Sequence, residues 1–221
     1  MRLRLPEERP TEPPTGYKIA RPVLSHDGTR AGFTGVSLGA ALPYGVLDEA
    51  SCGYGRRHRA PHRRCDCGFH CVHDRATAEA LLCTAEHRGA AVLEVTVLGA
   101  YIRFERGFRY ARQRVRGATL PPCPCGATAP LLADAGRGVP GWRVVEAACG
   151  RCRGGRQALS VAEFARLAGE GLRVDAAAPP PTGSAPAGLG VPELVAEAAL
   201  LQARLDWFQA ELARFTGDQR G

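Results

Sequence analysis

The chain has 221 residues, 45% of them hydrophobic, with 29 basic side chains against 22 acidic ones and a formal charge of +7. That content is that of a folded protein with tails, and no apolar run approaches the roughly 20 residues of a membrane span. Residues 1–14 are rich in Arg, Glu and Pro, which is not a charged-then-apolar leader, so a cytoplasmic location is expected.

Residues 1–15 read as a disordered arm. From Gly16 onward, Tyr17-Lys-Ile-Ala, a turn at His26-Asp27-Gly28 and a run to Phe33 predict a first hairpin. A metal-loop region follows from Ala50 to His73. Asp74 is the expected N-cap of a helix running to about Arg88 and ended by Gly89. The clearest strand signal is Ala91–Leu98, where Leu93, Val95 and Val97 alternate with Glu94 and Thr96. A break at Gly99 and further strands from Tyr101 and Phe108 complete a predicted meander with arginines on its polar side. Residues 120–156 have the outline of a zinc ribbon, including a β-like run from Trp142. Ser160-Val-Ala-Glu163 predicts a capping box that opens a short helix carrying Phe164 and Leu167. Residues 176–190 read as an Ala/Pro/Gly linker. Beyond it, Val191, Leu194, Ala198, Leu201, Leu205, Phe208, Leu212 and Phe215 keep a spacing of three and four, which predicts one amphipathic helix over 191–217.

The expected fold is therefore α+β. It comprises a small zinc-stabilised β-rich domain over 16–118, a zinc-ribbon-like segment with a short helix over 119–175, the linker, and the long C-terminal helix. That helix is expected to mediate self-association as a homodimer or docking to a protein partner.

Nine cysteines in a reducing compartment point to metal ligands or reactive thiols rather than disulfides, and the odd count leaves at least one unpaired. Cys123-Pro-Cys125-Gly and Cys149-Gly-Arg-Cys152 form two turns, each able to present two thiolates to one tetrahedral Zn²⁺. The first pair is one residue shorter than the usual CxxC, and four thiolates also suit an iron–sulfur cluster, the lesser metal reading. A second set is Cys52, His58, Cys65 and Cys67, where His62 could replace His58. Cys71 and Cys83 are expected to face the core as small hydrophobes.

The order Gly16-Tyr17-Lys18, Gly28-Thr-Arg, Cys52, His58-x2-Pro61, Cys65-x-Cys67-Gly-Phe, Val92-Leu-Glu-Val-x-Val-Leu-Gly99 and Glu105-Arg-Gly107-Phe-Arg-Tyr-Ala111 resembles a group of uncharacterised, mainly actinobacterial proteins. Those carry a C…H..P…CxCGIYA segment followed by a V.G.V.LWG.V.E…GYRAEYA meander. The resemblance covers about residues 16–115. It implies that Cys52, His58, Cys65 and Cys67 belong together, and so favours His58 over His62; it implies no activity. Here His70 and Cys71 replace the aromatic and small residues usual after the glycine, and Leu98 stands where tryptophan is expected.

Lys18 is the only lysine, a bias that reads as a GC-rich bacterial coding sequence. Arg56, Arg57, Arg59, Arg63 and Arg64 crowd the first cysteine set, and Arg103, Arg106, Arg109, Arg112, Arg114 and Arg116 crowd one later segment. A field of that sign attracts polyanions. With Tyr101, Phe104, Phe108 and Tyr110 interleaved, it suggests nucleic-acid contact; the competing reading is that these aromatics face the core and the arginines are solvated. The expected function is non-catalytic zinc binding in a nucleic-acid-binding or interaction module. Release of zinc on thiol oxidation is the alternative. Two enzymatic signatures are missing: there is no His-x-Glu and no His-Glu-x-x-His. A Cys71 nucleophile with His70 or His73 as base is a catalytic arrangement the sequence offers, provided the pair sits in a turn.

Overall fold

The computed structural model describes residues 12–36, 42–84 and 86–177. Its first strand, β1 (Thr15–Ser25), serves two groups of partners along its length. The first half pairs with β5 (Ala91–Phe104), from Thr15↔Thr96 to Ala20↔Ala91. The second half pairs with β2 (Ala31–Thr34) and with β8 (Trp142–Ala148). The β1–β2 turn forms as its residues predict: the Asp27 carboxylate accepts from the Ser25 hydroxyl and from the Thr29 N–H and hydroxyl, and Gly28 takes a φ of 72°.

β5 and β6 (Gly107–Leu120) form the long central hairpin. β3 (Leu47–Glu49) and β4 (Phe69–Val72) both pair antiparallel with β6, β3 against 112–114 and β4 against 107–110. They are one strand line interrupted by residues 50–68. β4 also touches β1 at Tyr17↔Val72, so β1, β5, β6 and β4 pair in a closed ring. β7 (Leu131–Val139) joins β8 and β9 (Ala158–Ser160), while β10 (Arg173–Ala176) lies parallel to the end of β6.

The α+β expectation is corrected by this arrangement. The described residues form ten strands connected in one sheet, with helices of only 6, 4 and 8 residues: α1 (Arg75–Ala80), α2 (Gly150–Arg153) and α3 (Val161–Ala168). α1 begins at Asp74, whose carboxylate accepts from the Thr77 N–H at 2.7 Å, but the helix does not reach Arg88. It tightens into a 3₁₀ turn at Leu81–Cys83, where the Thr84 hydroxyl donates to the Leu81 carbonyl and Thr84 turns extended. Gly99 does not end a strand either. Its φ of 70° makes a bulge with a register shift between Leu98 and Tyr101, and β5 continues through it. Ala176, expected in the linker, is the last residue of β10. The rest of the linker and the C-terminal helix lie outside the described residues, as does most of the N-terminal arm.

The even-numbered positions Ala20 and Leu24 of β1 face the main core with Leu93, Val95, Tyr110, Leu120, Leu132 and Phe164. That core spans residues on both sides of position 118. α3 closes it, the Phe164 ring meeting Phe33 edge-on at 5.7 Å. The opposite face, with Ile19 and Val92, packs on Ala78 of α1. Among the described residues no helix is long and apolar enough to cross a membrane.

Candidate metal centres

The interruption between β3 and β4 carries the first centre. The loop leaves beside β6, where the Ala50 N–H donates to the Ala111 carbonyl, and returns at Phe69↔Tyr110. Its two ends are thus pinned to one strand, so the segment between must fold back on itself. Cys52, His58, Cys65 and Cys67 meet there, with all ligand atoms within 4.8 Å of one another. The Cys52 and Cys65 sulfurs are 3.8 Å apart, and His58 Nε2 lies 3.2 Å from the Cys67 sulfur. Tetrahedral zinc with bonds of about 2.0–2.3 Å spaces its ligand atoms by about 3.5–3.8 Å, whereas a disulfide needs about 2.05 Å. His58 stands among the three thiols; His62 stacks on its ring at 4.4 Å and is exposed.

The β7–β8 hairpin builds the second centre. Leu131 opposite Ala148 sets the chain entering β7 beside the chain leaving β8. Cys123 and Cys125 lie just before that junction in a tight turn, with Gly126 N–H donating to the Cys123 carbonyl at 2.7 Å and Gly126 at a φ of 82°. Cys149 lies just after it as the N-cap of α2, and its sulfur accepts from the Cys152 N–H at 3.4 Å. The shortened Cys-x-Cys turn therefore converges as well as a longer one would. Sulfur separations are 3.5 Å for Cys123–Cys125 and 3.7 Å for Cys125–Cys149. All nine cysteines are free thiols.

The electrostatics suit a cation at each centre. Burial opposes ionisation of Cys52, but the N–H groups of Tyr54 and Arg56 and the Cys65 and Cys67 thiols together hold it below the ordinary thiol range. Burial pushes Cys67 up. His58 is lowered by burial and then by His62 and Arg56, which favours the neutral imidazole that binds metal. At the second centre the Cys152 N–H is the main cause that brings Cys149 down to about 6, while the Cys125, Cys123 and Cys149 side chains push Cys152 up to about 12. Four thiols in one place compete over ionisation; a divalent ion stabilises all four thiolates at once. The two clusters fit two zinc sites.

Each centre has an arginine behind it. Arg109 was expected at a nucleic-acid surface, but it is only 6% exposed. Its guanidinium donates to the Cys65 carbonyl at 2.7 Å, to Asp66 at 3.1 Å and to the His62 carbonyl at 3.3 Å. Arg156 does the same for the second centre, donating to the Cys152 and Asp134 carbonyls and to Glu146. No local signal marked Arg109 for this role, because its acceptors lie more than forty residues away on the metal loop.

The other expected contact residues divide by position. Arg56, Arg57, Arg59, Arg63 and Arg64 are exposed on the first loop; Arg103, Arg106 and Arg112 are exposed and Arg114 half-buried on the β5–β6 hairpin. The interleaved aromatics face inward for the most part: Tyr110 and Phe108 are buried and Tyr101 packs against the core, leaving Phe104 exposed. Cys71 is buried beside Tyr110, whereas its neighbour His70 is exposed on the opposite strand face and His73 Nε2 is bonded to the Phe104 carbonyl. Neither histidine is placed as a base for Cys71.

These features define a β-rich protein with two zinc-type centres grafted on one sheet. Comparison with known proteins finds no matching family model, no matching curated protein and no matching solved structure.

Proposed function

We propose that this protein is a zinc-stabilised binding module whose first metal loop contacts nucleic-acid phosphates. One observation carries the reading. Arg56, Arg57, Arg59, Arg63 and Arg64 are all exposed, and none takes part in an ion pair among the described residues. Three of them line an open cleft of about 560 Å³ that also includes Cys52 and His58. A metal at that centre would hold the arginines in fixed relation, so that less ordering remains to be done on binding. Arg112 and Arg116 are likewise exposed, on β6. Tyr54, 66% exposed in the same loop, offers a face for stacking on an unpaired base.

The test is fluorescence anisotropy of the zinc-loaded full chain with labelled single-stranded and duplex oligonucleotides over a range of salt. Binding is expected to weaken steeply with salt, by about one logarithmic slope unit for each phosphate neutralised. Changing the five loop arginines to alanine, with the ligands kept, is expected to lower affinity at least ~10-fold and to flatten that slope. Absence of binding by the unaltered protein at low salt would reject the reading.

A further inference from the structure

The cleft on the first metal loop is not uniformly basic. Its lining includes Arg56, Arg57 and Arg59, but also Glu49 and Ser51. Glu49 ends β3, where it pairs opposite Arg112 of β6, and the next residue is held by the Ala50 N–H donating to the Ala111 carbonyl at 2.7 Å. Its position is therefore set by the sheet, whereas the three arginines ride on the loop. The neighbouring carboxylate of Asp48 is occupied by structure, accepting from the Gly45 and Glu49 N–H groups at 2.9 and 2.8 Å. The exposed Glu49 carboxylate is not. Among the described residues it takes part in no ion pair and no hydrogen bond, although three arginines share its cleft and a fourth lies opposite it. The cleft thus has a cationic wall and, apart from it, a free carboxylate.

A surface that met phosphate alone would gain nothing from that acid, which repels a polyanion. It is useful where the ligand brings hydrogen-bond donors as well as phosphate. A volume of about 560 Å³ lies within the range of about 300–1,000 Å³ of small-molecule sites, so the cleft suits a single nucleotide. The Watson–Crick edge of that nucleotide is free to be read only in an unpaired strand. An ionised carboxylate is a pure acceptor with two oxygens. Among the common bases, guanine carries two donors side by side on that edge, N1–H and the N2 amino group. Adenine and cytosine each set one amino donor beside an acceptor nitrogen, and thymine and uracil set one N–H between two carbonyls. A carboxylate pairs bidentately with guanine and meets an opposing lone pair on each of the others.

We propose that this cleft holds one unpaired guanine of a nucleic-acid strand, with Glu49 accepting from its N1–H and N2–H and the loop arginines on the flanking phosphates. The inference rests on the phosphate-contact reading above and names the base that the same site selects. Tyr54, exposed next to the cleft-lining Gly55, offers its ring for stacking.

The test is fluorescence anisotropy of the zinc-loaded full chain with short labelled thymidine oligomers carrying one central guanine, inosine, adenine or cytosine. The guanine oligomer is expected to bind at least ~10-fold more tightly than the adenine and cytosine ones, with inosine, which lacks the N2 amino group, in between. Glu49→Gln is expected to weaken the guanine oligomer by ~10-fold and to leave the others unchanged or slightly tighter, with the zinc content and thermal midpoint unmoved. Free GMP is expected to displace the guanine oligomer only at much higher concentration. Equal binding of all the oligomers, a Glu49→Gln variant that keeps the guanine preference, or one that tightens every oligomer by the same factor would overturn the proposal and leave the phosphate reading standing. Free GMP as effective as the strand would overturn the assignment to a strand. Failure of the unaltered protein to bind any oligomer would overturn both readings.

Discussion

Arg109 shows how much a single side chain can tie together. It lies on the central strand, is buried, and reaches three acceptors on the loop that carries the first metal ligands. Its own Nε is buried and unpartnered, while its charge also stacks over Phe104 at 5.6 Å. Lysine, with a single compact ammonium, cannot span that set of acceptors. Arg109→Lys is therefore expected to weaken zinc at the first centre by about 10-fold or more while leaving the second unchanged. Competition with a chromophoric chelator, followed as two release steps, checks this. The mismatch between expectation and place has a plain cause. In sequence Arg109 belongs to a run of arginines, but Phe108 and Tyr110 on either side face the core, and on the other face of β6 the metal loop folds over Arg109 and receives its guanidinium through the Cys65 and His62 carbonyls and Asp66.

At the scale of elements, the two metal loops are made by strand pairing. β3 and β4 share β6 as partner, and the β7–β8 hairpin brings two remote cysteine pairs to one end. Signals that act over a few residues were readable: the Asp27-Gly28 turn, the alternation of Leu93, Val95 and Val97, and the Ser160 cap. Ser160 accepts from the Glu163 N–H at 3.1 Å and opens the helix that places Phe164 in the core. Ser160→Ala is expected to cost about 1 kcal/mol, measured by urea unfolding of the zinc-loaded protein. Signals that depend on competition were not readable. The stop at Thr84 and the continuation of β5 through Gly99 follow from what lies on either side of each segment, and β10 exists because β6 offers it an edge at 117–120. Four residues such as Arg173–Ala176 carry too little pattern to announce a strand.

Across the whole molecule the two centres hold different things. Cys123 is 1% exposed and belongs to the main core, with Cys149 and Cys152 packed against it; Cys52 and Cys65 lie on an excursion outside that core. Two zinc ions per chain are expected, falling to one in either Cys65→Ser or Cys123→Ser. Cys123→Ser should lower the thermal midpoint much more than Cys65→Ser, because it also breaks packing in the core. Metal quantification beside thermal unfolding would show it, and equal losses would contradict the division. By itself the sequence determined which side chains could bind metal, where the turns and the central strand alternation fall, and that cationic charge gathers at one loop, since each rests on residue type and short spacing. Only the tertiary structure decided that Arg109 is buried beneath the metal loop, that His62 stacks on His58 away from the thiols, and that the lone lysine stands over the Tyr44 and Phe69 rings. Burial and partnership are set by strands that pair across tens of residues, and no local pattern records them.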